Sequence, residues 1–182
     1  MKAGTPQSLS PTKEIMSLQE QIDDLRTTIR PSIWTDSPNE WLRLVAPVEL
    51  ARLTETFAEK VLNATRMPNN RAGYDLICGS RFIEVKAASV SIMNGRPILS
   101  WKNIRPSDPY THVLFIAIYP DNIRAFLVRK ELIPREEMKP MSTSDTGHVF
   151  QLYTRNVNTP PNWLTRFEIV LSPDGTRYEL PW

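Results

Sequence analysis

The chain has 182 residues, of which 41% are hydrophobic, and this length supports one ordinary hydrophobic core but not two well-developed domains. The net charge of +2 permits an anionic partner without requiring one, because nucleic-acid binding depends on local basic patches rather than on the total charge. The single cysteine, Cys78, excludes an internal disulfide and a cysteine-based zinc cluster.

The first residues of the chain carry no signal for membrane insertion. Residues 1–11 are rich in Gly, Pro, Ser and Thr, and this composition predicts a disordered tail. They lack the apolar core of a secretion signal, and no run in the chain approaches the roughly 18 apolar residues of a membrane helix. We therefore expect a cytoplasmic protein with no membrane partner.

Apolar residues at intervals of three and four positions predict an amphipathic helix between Pro11 and Pro31. They are Ile15, Leu18, Ile22, Leu25 and Ile29. A second helical region follows and is broken before Pro47. We predict that residues 12–46 form an N-terminal helical arm and that residues 47–182 form the main domain. Arm and domain together would make a single globular unit. The narrow apolar stripe indicates packing on the chain's own domain, with a dimer contact as the alternative.

The segment that begins at Pro47 predicts a further helix with one apolar face, since proline is well suited to the first position of a helix. The apolar face is formed by Leu50, Leu53, Phe57 and Val61. On a helical wheel Glu55 lies at the edge of this face, whereas Glu59 lies opposite it. Glu55 is therefore the acid better placed at the boundary between the core and a cleft.

From Tyr74 onward the sequence is typical of β-strands separated by turns. The predicted strands are YDLIC, RFIEVKAAS, PILSW, HVLFIAIYP, NIRAFLVR, GHVFQLYTR and TRFEIVLS. The run from Val113 to Ile118 is apolar on both faces, which predicts a central, covered strand. The predicted fold class is α/β, with a mixed central β-sheet flanked by helices and an N-terminal helical arm.

Three charges stand in the otherwise apolar stretch GYDLICGSRFIEVKAAS: Asp75, Glu84 and Lys86. In a strand, Glu84 and Lys86 share one face at a separation of about 6–7 Å. A hairpin through Gly79 and Ser80 would bring Asp75 toward Glu84. Two interpretations follow: a solvated pair on a strand with one wet face, or charges that converge on a metal ion. Hard carboxylate oxygens select Mg²⁺ or Mn²⁺, and a neighbouring lysine can act on the attacking water in phosphodiester hydrolysis.

An acid followed by eight residues and then Glu84-Val85-Lys86 on a strand resembles the PD-(D/E)XK nuclease superfamily, which has the restriction-endonuclease-like fold. The resemblance covers about residues 48–130, with Tyr74 where the family motif has proline. It implies that Asp75, Glu84 and the Val85 carbonyl bind the metal and that Lys86 acts on the nucleophilic water. It also implies a helix glutamate, for which Glu55 is in register and Glu59 is the fallback. The PILSW and HVLFIAIYP segments would complete the central sheet.

This resemblance favours a Mg²⁺-dependent DNA endonuclease that cuts double-stranded DNA, most like a small type II restriction enzyme, with Mn²⁺ as a substitute ion. Little chain remains for separate recognition domains, so loops of the catalytic domain would recognise the DNA. One active site per chain would favour a homodimer for cutting both strands. The alternatives are a repair nuclease, a junction resolvase, a phage recombination nuclease, or a catalytically silent DNA-binding or assembly subunit. The sequence has no Walker or Rossmann glycine motif, and thus we expect no nucleotide cofactor.

Basic and amide side chains near the predicted site are the candidate DNA contacts, because they can bind phosphates or base edges. They are Arg66, Asn69, Asn70, Arg71, Arg81, Lys102, Asn103 and Arg105. His112 and His148 have no metal-ligand partner at a recognisable spacing.

Overall fold

The computed structural model describes residues 17–28, 32–68, 73–141, 150–154, 160–171 and 178–181. The chain divides into two compact units, residues 1–32 and residues 33–182. The predicted tail of residues 1–11 lies outside the described residues. The boundary divides the predicted arm, because Trp34 and Leu42 belong to the hydrophobic core of the second unit.

The first unit contains helix α1, Leu18–Thr28. Ser17 and Glu20 form a reciprocal cap at its start: the Glu20 N–H donates to Ser17 Oγ at 3.2 Å, and the Ser17 N–H donates to Glu20 Oε2 at 2.6 Å. The prediction of a helix in this region is confirmed. Leu18 and Ile22, two members of the predicted apolar stripe, are exposed.

The second unit begins with a 3-10 helix, Glu40–Leu44, and helix α2, Pro47–Leu62. Pro47 occupies the first turn of α2, as predicted, and Asn63 ends the helix in the left-handed conformation at a φ of 47°. The apolar residues that pack on the core from α2 are Leu50, Phe57, Ala58, Val61 and Leu62. Leu53, predicted to share this face, is exposed, whereas Thr54 is buried. Thr54 can be buried because its hydroxyl bonds to the carbonyl of Leu50 at 3.0 Å.

The strands of the described residues run as follows. They are β1 Thr65–Arg66, β2 Leu76–Cys78, β3 Arg81–Ser89, β4 Ser91–Met93, β5 Arg96–Ile104, β6 His112–Ile118, β7 Ile123–Arg129, β8 Met138–Pro140, β9 Phe150–Thr154, β10 Val170–Leu171 and β11 Tyr178–Glu179. Short 3-10 helices, Lys130–Leu132 and Arg135–Glu137, follow β7, and a short helix α3, Asn162–Thr165, precedes β10.

The central sheet is mixed, with the order β1-β2-β3-β6-β7. Strands β3 and β6 are parallel, and the other neighbours are antiparallel. β6 lies between β3 and β7, and every residue from Val113 to Ile118 is at most 1% exposed. The prediction of a central, covered strand is therefore confirmed.

Different layers cover the two faces of the central sheet. An apolar groove between α2 and the sheet is lined by Leu50 and Phe57 together with Ile116 and Ile118, so α2 lies over that face. On the other face Trp101 of β5 packs against Phe115, with ring centroids 5.2 Å apart, and donates Nε1–H to the Ile116 carbonyl at 3.0 Å.

The layer over this second face is a sheet with the order β4-β5-β9-β8. The expectation that the PILSW segment would join the central sheet is therefore wrong: these residues belong to β5 in the second sheet. The difference has a physical cause, because Ile98, Leu99 and Trp101 are buried between two layers, and local alternation alone cannot say which strand a segment pairs with. Within the described residues, no helix has both the length and the apolar character needed to cross a membrane.

Candidate active site

The candidate site lies where β2 stops pairing with β3. The last register pair is Leu76 with Ile83, and beyond it β3 borders a cavity of about 280 Å³ whose other walls are α2 and β5. The polar side chains that line the cavity are Glu55, Thr54, Lys86, Ser100, Lys102 and Asn103. Elements that are distant in sequence, α2, β3 and β5, thus converge at the edge that β2 leaves open.

Asp75 is fixed beside this edge by three hydrogen bonds. Its backbone N–H donates to the Ile83 carbonyl and its carbonyl accepts the Met67 N–H, both at 2.9 Å. Its Oδ2 accepts the Val85 backbone N–H at 2.7 Å. In an extended strand the N–H and C=O of one residue point to the same side, so the Val85 carbonyl lies on the side of the Asp75 carboxylate. The two predicted oxygen ligands, Asp75 and Val85, therefore share one strand edge.

The residues before Asp75 set the direction from which it approaches β3. Gly73 has a φ of 71°, and a Cβ atom added there would lie 2.8 Å from Pro109 Cδ. Only glycine fits such a close approach in the left-handed region without strain. Tyr74, which occupies the position of the family's proline, stacks on Phe82 of β3 with ring centroids 4.7 Å apart. Packing against β3 thus restrains this part of the chain.

Burial first and the nearby negative charge of Glu84 second raise the pKa of Asp75 from 3.8 to about 6. Glu55 acts in the same direction, while the Val85 N–H and the Lys86 ammonium act in the opposite direction. The predicted residues therefore lie close enough for their charges to act on one carboxyl group. A cation at this point would favour the deprotonated carboxylate, because it offsets the repulsion.

Glu84 and Lys86 form an ion pair, and their side chains are 14% and 18% exposed, respectively. They share one face of β3, as the two-residue period predicted. That face also carries Phe115, the register partner of Lys86, and the second sheet covers it. The hypothesis of a pair on a wet face is therefore correct about the pair and wrong about the face, which is covered.

Glu55 lies on α2 and is bound by Arg66 of β1. Arg66 donates Nε–H to Glu55 Oε2 at 2.9 Å and makes a second contact with the same oxygen through Nη2. Glu55 is the helix acid that lines the cavity and whose charge acts on Asp75. Arg66 was predicted as a DNA contact, but its guanidinium group binds Glu55, which is itself a predicted metal ligand.

Lys102 and Asn103 project from a bulge in β5. The register between β5 and β9 shifts between Trp101 and Ile104, and Asn103 has a φ of 58°. The Asn103 N–H donates to Met141 Sδ at 3.3 Å. A bulge changes the direction of the side chains at a strand edge. Here it places an exposed lysine and an exposed asparagine at the rim of the cavity that Lys86 lines.

The other predicted DNA contacts have different positions. Arg105 is exposed in the turn after β5. Arg81 is at the start of β3, five residues before Lys86, which corresponds to about 16 Å along an extended strand. Asn69, Asn70 and Arg71 lie outside the described residues.

Two residues near the site, Ser100 and Tyr110, are not among the predicted site residues. Ser100 lines the cavity, and its Oγ lies 3.4 Å from Gln151 Oε1. Ser100 and Lys102 are two positions apart in β5 and therefore share one face of the strand, and this spacing could have indicated Ser100. Tyr110 is buried, and its phenol pKa is raised by burial and by the charge of Glu84, which places it near that acid. No local pattern connects Tyr110 with Glu84, because β4 and β5 separate them in the sequence.

A scan against protein-family models and a search of curated proteins find no match for this chain. Membership of the PD-(D/E)XK superfamily thus stays a hypothesis.

The donor set of Asp75, Glu84 and the Val85 carbonyl fits Mg²⁺, which prefers oxygen ligands. In the part of the chain that the structure describes, no three His, Cys, Asp or Glu side chains are grouped at metal-binding distance. Mg²⁺ does not require such a group, since it is commonly held by one or two carboxylates and completes its shell with waters and phosphate oxygens. Ligation by Glu84 would require it to exchange the Lys86 ammonium for the ion.

Proposed function

We propose that the chain is a Mg²⁺-dependent endonuclease that hydrolyses phosphodiester bonds of double-stranded DNA, in the manner of a small type II restriction enzyme. One observation carries the proposal: the Asp75 carboxylate accepts the Val85 N–H at the open edge of β3, and Glu84, Glu55 and Lys86 lie close enough for their charges to act on it. Partly buried acids that repel one another cost stability, so they are more typical of a functional site than of a structural one.

Each residue has a role in this proposal. Asp75, Glu84 and the Val85 carbonyl would hold Mg²⁺, and Glu55 would join them by exchanging Arg66 for the ion. When bound, the ion would supply positive charge to the scissile phosphate and make a water more acidic. Lys86, released from Glu84, would orient the attacking water by a hydrogen bond and balance the charge that develops at phosphorus. The flexible four-carbon stem of lysine permits this change of partner.

DNA binding would use the rim of the cavity. Lys102 is suited to a phosphate, and Asn103 to a phosphate or to the edge of an adenine. Both side chains are exposed on the β5 bulge beside Lys86. Because each chain would have one catalytic site, a homodimer would cut both strands.

The second candidate function is a catalytically silent DNA-binding or assembly subunit. A specific observation favours it, namely that each acid of the cluster has a partner within the chain. Asp75 bonds to the Val85 N–H, Glu84 pairs with Lys86 and Glu55 pairs with Arg66. A chain that had lost its metal would retain such internal pairs.

The deciding experiment is the digestion of a long defined duplex DNA with Mg²⁺, with EDTA and with the Lys86→Ala variant in place of the wild type. We expect discrete bands with Mg²⁺, no cutting with EDTA, and a loss of about 10²-fold or more in rate for Lys86→Ala. Lys60→Ala, at an exposed position near the end of α2, is the matched control and should cut normally.

Other outcomes would favour the alternatives. Cutting that is confined to branched, flapped or nicked substrates would indicate a repair nuclease, a resolvase or a recombination nuclease of the same type. Intact DNA in every lane, from a protein that is folded by circular dichroism and still binds DNA without Mg²⁺, would support the silent subunit. Calorimetric Mg²⁺ binding that is lost in Asp75→Ala would contradict the silent subunit.

A further inference from the structure

A second polar cavity lies at the opposite end of β3 from the candidate active site. It encloses about 620 Å³, and its polar wall contains Arg81, His112 and Arg129. Leu127, Leu132 and Phe167 contribute an apolar wall. Its size lies within the range of small-molecule sites, roughly 300–1,000 Å³. The cavity therefore combines converging basic groups with an apolar surface.

The sheet topology brings the basic groups together. Arg81 begins β3, His112 begins the parallel strand β6, and Arg129 ends the antiparallel strand β7. His112 and Arg129 are direct register partners, so their side chains project from the same face of the sheet. With Arg81 on the neighbouring strand, these residues place two guanidinium groups and an imidazole along one wall of the cavity.

The charges that act on His112 are consistent with this arrangement. The pKa of His112 is lowered by burial and by the positive charges of Arg81 and Arg129, while Glu131 acts in the opposite direction. Glu131 also contacts Arg129, with Nη1 and Oε1 3.4 Å apart and both side chains more than half exposed. Such an exposed pair is weak and can be exchanged for a ligand.

Neighbouring contacts restrain the position of the imidazole and keep another cation away from the cavity. Nδ1 of His112 lies 2.9 Å from Thr111 Oγ1, and this contact holds the ring. Thr111 Oγ1 in turn accepts the Phe82 N–H at 2.9 Å. Lys130 follows Arg129 but donates to the Asp108 carbonyl and lies over the Tyr110 ring. The cavity thus has two guanidinium groups, which match the geometry of a phosphate better than ammonium groups do.

We propose that this cavity binds a phosphate monoester, with the dianionic phosphate between Arg81 and Arg129 and an organic group against the apolar wall. The two sources of such a group are a free nucleoside monophosphate and the 5′-phosphate end of a nucleic acid. The site is about 16 Å along β3 from Lys86, so it is separate from the candidate metal site. The proposal does not depend on nuclease activity.

The test is a calorimetric titration of the whole chain in EDTA with thymidine 5′-monophosphate, with thymidine as the ligand that lacks the phosphate. We expect the monophosphate to bind and thymidine to bind at least about tenfold more weakly, since charge-assisted bonds to phosphate are the strong ones. Arg81→Gln and Arg129→Gln should each weaken binding about tenfold or more. Arg96→Gln, at an exposed position on β5, should bind like the wild type.

Circular dichroism and thermal unfolding serve to check that each variant is folded, and the two arginine variants test the site independently. Equal binding of thymidine and its monophosphate, no binding at millimolar concentration, or wild-type affinity in both arginine variants would overturn the proposal. A second arm compares a short single-stranded oligonucleotide with and without a 5′-phosphate. Tighter binding of the phosphorylated strand than of the monophosphate identifies a nucleic-acid end as the source. Binding of the monophosphate alone identifies a free nucleotide.

Discussion

Asp75 Oδ2 accepts the backbone N–H of Val85 at 2.7 Å, beyond the last register pair of β2 and β3. The carboxylate thus takes the place of a missing strand neighbour, and the same side chain is the central member of the acidic cluster. Asp75 has two opposing effects on stability: its hydrogen bond favours the folded chain, whereas its buried charge opposes folding.

The first prediction concerns pH. The folded-state pKa of Asp75 is about 6, above its ordinary value of 3.8, so the folded chain holds a proton that the unfolded chain releases between these values. The contribution of Asp75 to the free energy of unfolding therefore falls as pH rises from about 4 to about 6, by about 2–3 kcal/mol in total. Asp75→Asn keeps an oxygen for the Val85 N–H and removes the charge.

Urea unfolding at pH 4, 5, 6 and 7 measures this effect. We expect Asp75→Asn to become more stable than the wild type as pH rises, with most of the difference developed by pH 7. Asp121→Asn, in the exposed turn before β7, is the control and should follow the wild type. A difference between Asp75→Asn and the wild type that stays constant across this range would contradict the raised pKa.

The second prediction concerns the ion pair of Glu84 and Lys86. Lys86→Ala leaves the Glu84 carboxylate without its partner in a site where it is 14% exposed, and we expect a loss of about 2–4 kcal/mol in the free energy of unfolding. The double variant Glu84→Gln/Lys86→Met removes both charges and should recover most of this loss. Chemical unfolding at pH 7 of Glu84→Gln, of Lys86→Met and of the double variant gives the coupling. If the losses of the two single variants sum to the loss of the double variant, the interaction between Glu84 and Lys86 contributes nothing to stability.

The third prediction concerns competition between Arg66 and Mg²⁺ for Glu55. Arg66→Met removes a cation that contacts the carboxylate, so we expect Mg²⁺ to bind about three- to tenfold more tightly. Isothermal titration calorimetry measures the affinity directly, without DNA. Arg52→Met, at an exposed pair with Glu49 on the same helix, is the control. Unchanged or weaker Mg²⁺ binding in Arg66→Met would exclude Glu55 from the metal site.

The fourth prediction compares two glycines with positive φ. Gly73→Ala introduces a Cβ atom 2.8 Å from Pro109 Cδ in addition to the left-handed strain, and we expect a loss of about 2–4 kcal/mol in stability. Gly79→Ala has similar strain, at a φ of 58°, but no atom within 4 Å of the added Cβ, and should lose about 1–2 kcal/mol. Urea unfolding measures both losses, and the difference between them is the contribution of the contact with Pro109. Equal losses would show that this contact is unimportant.

The fifth prediction concerns the β5 bulge. If Lys102 binds a phosphate, Lys102→Ala should reduce the slope of log affinity for DNA against log salt concentration by about 1. Fluorescence anisotropy with a labelled duplex in EDTA at several salt concentrations measures the slope. Lys60→Ala serves as the control at an exposed lysine away from the cavity. An unchanged slope in Lys102→Ala would remove this residue from the DNA interface.

Patterns within short segments were sufficient for part of the fold and part of the site. Pro47 at the start of α2, the covered strand β6, and the common face of Glu84 and Lys86 were predicted correctly. Helical and strand periods record which side of an element is buried, and this information is local. The choice of Glu55 from the helical wheel agrees with its position in the cavity.

Tertiary structure decided the features that depend on which distant segments meet. The pairing of β5 with β9, the contact of Arg66 with Glu55, and the cavity between Arg81 and Arg129 each join residues that are separated in the sequence. No local period specifies such contacts, because they result from how whole layers pack against one another. The sequence by itself determined which charged residues stand on β3, and the folded chain determined what surrounds each of them.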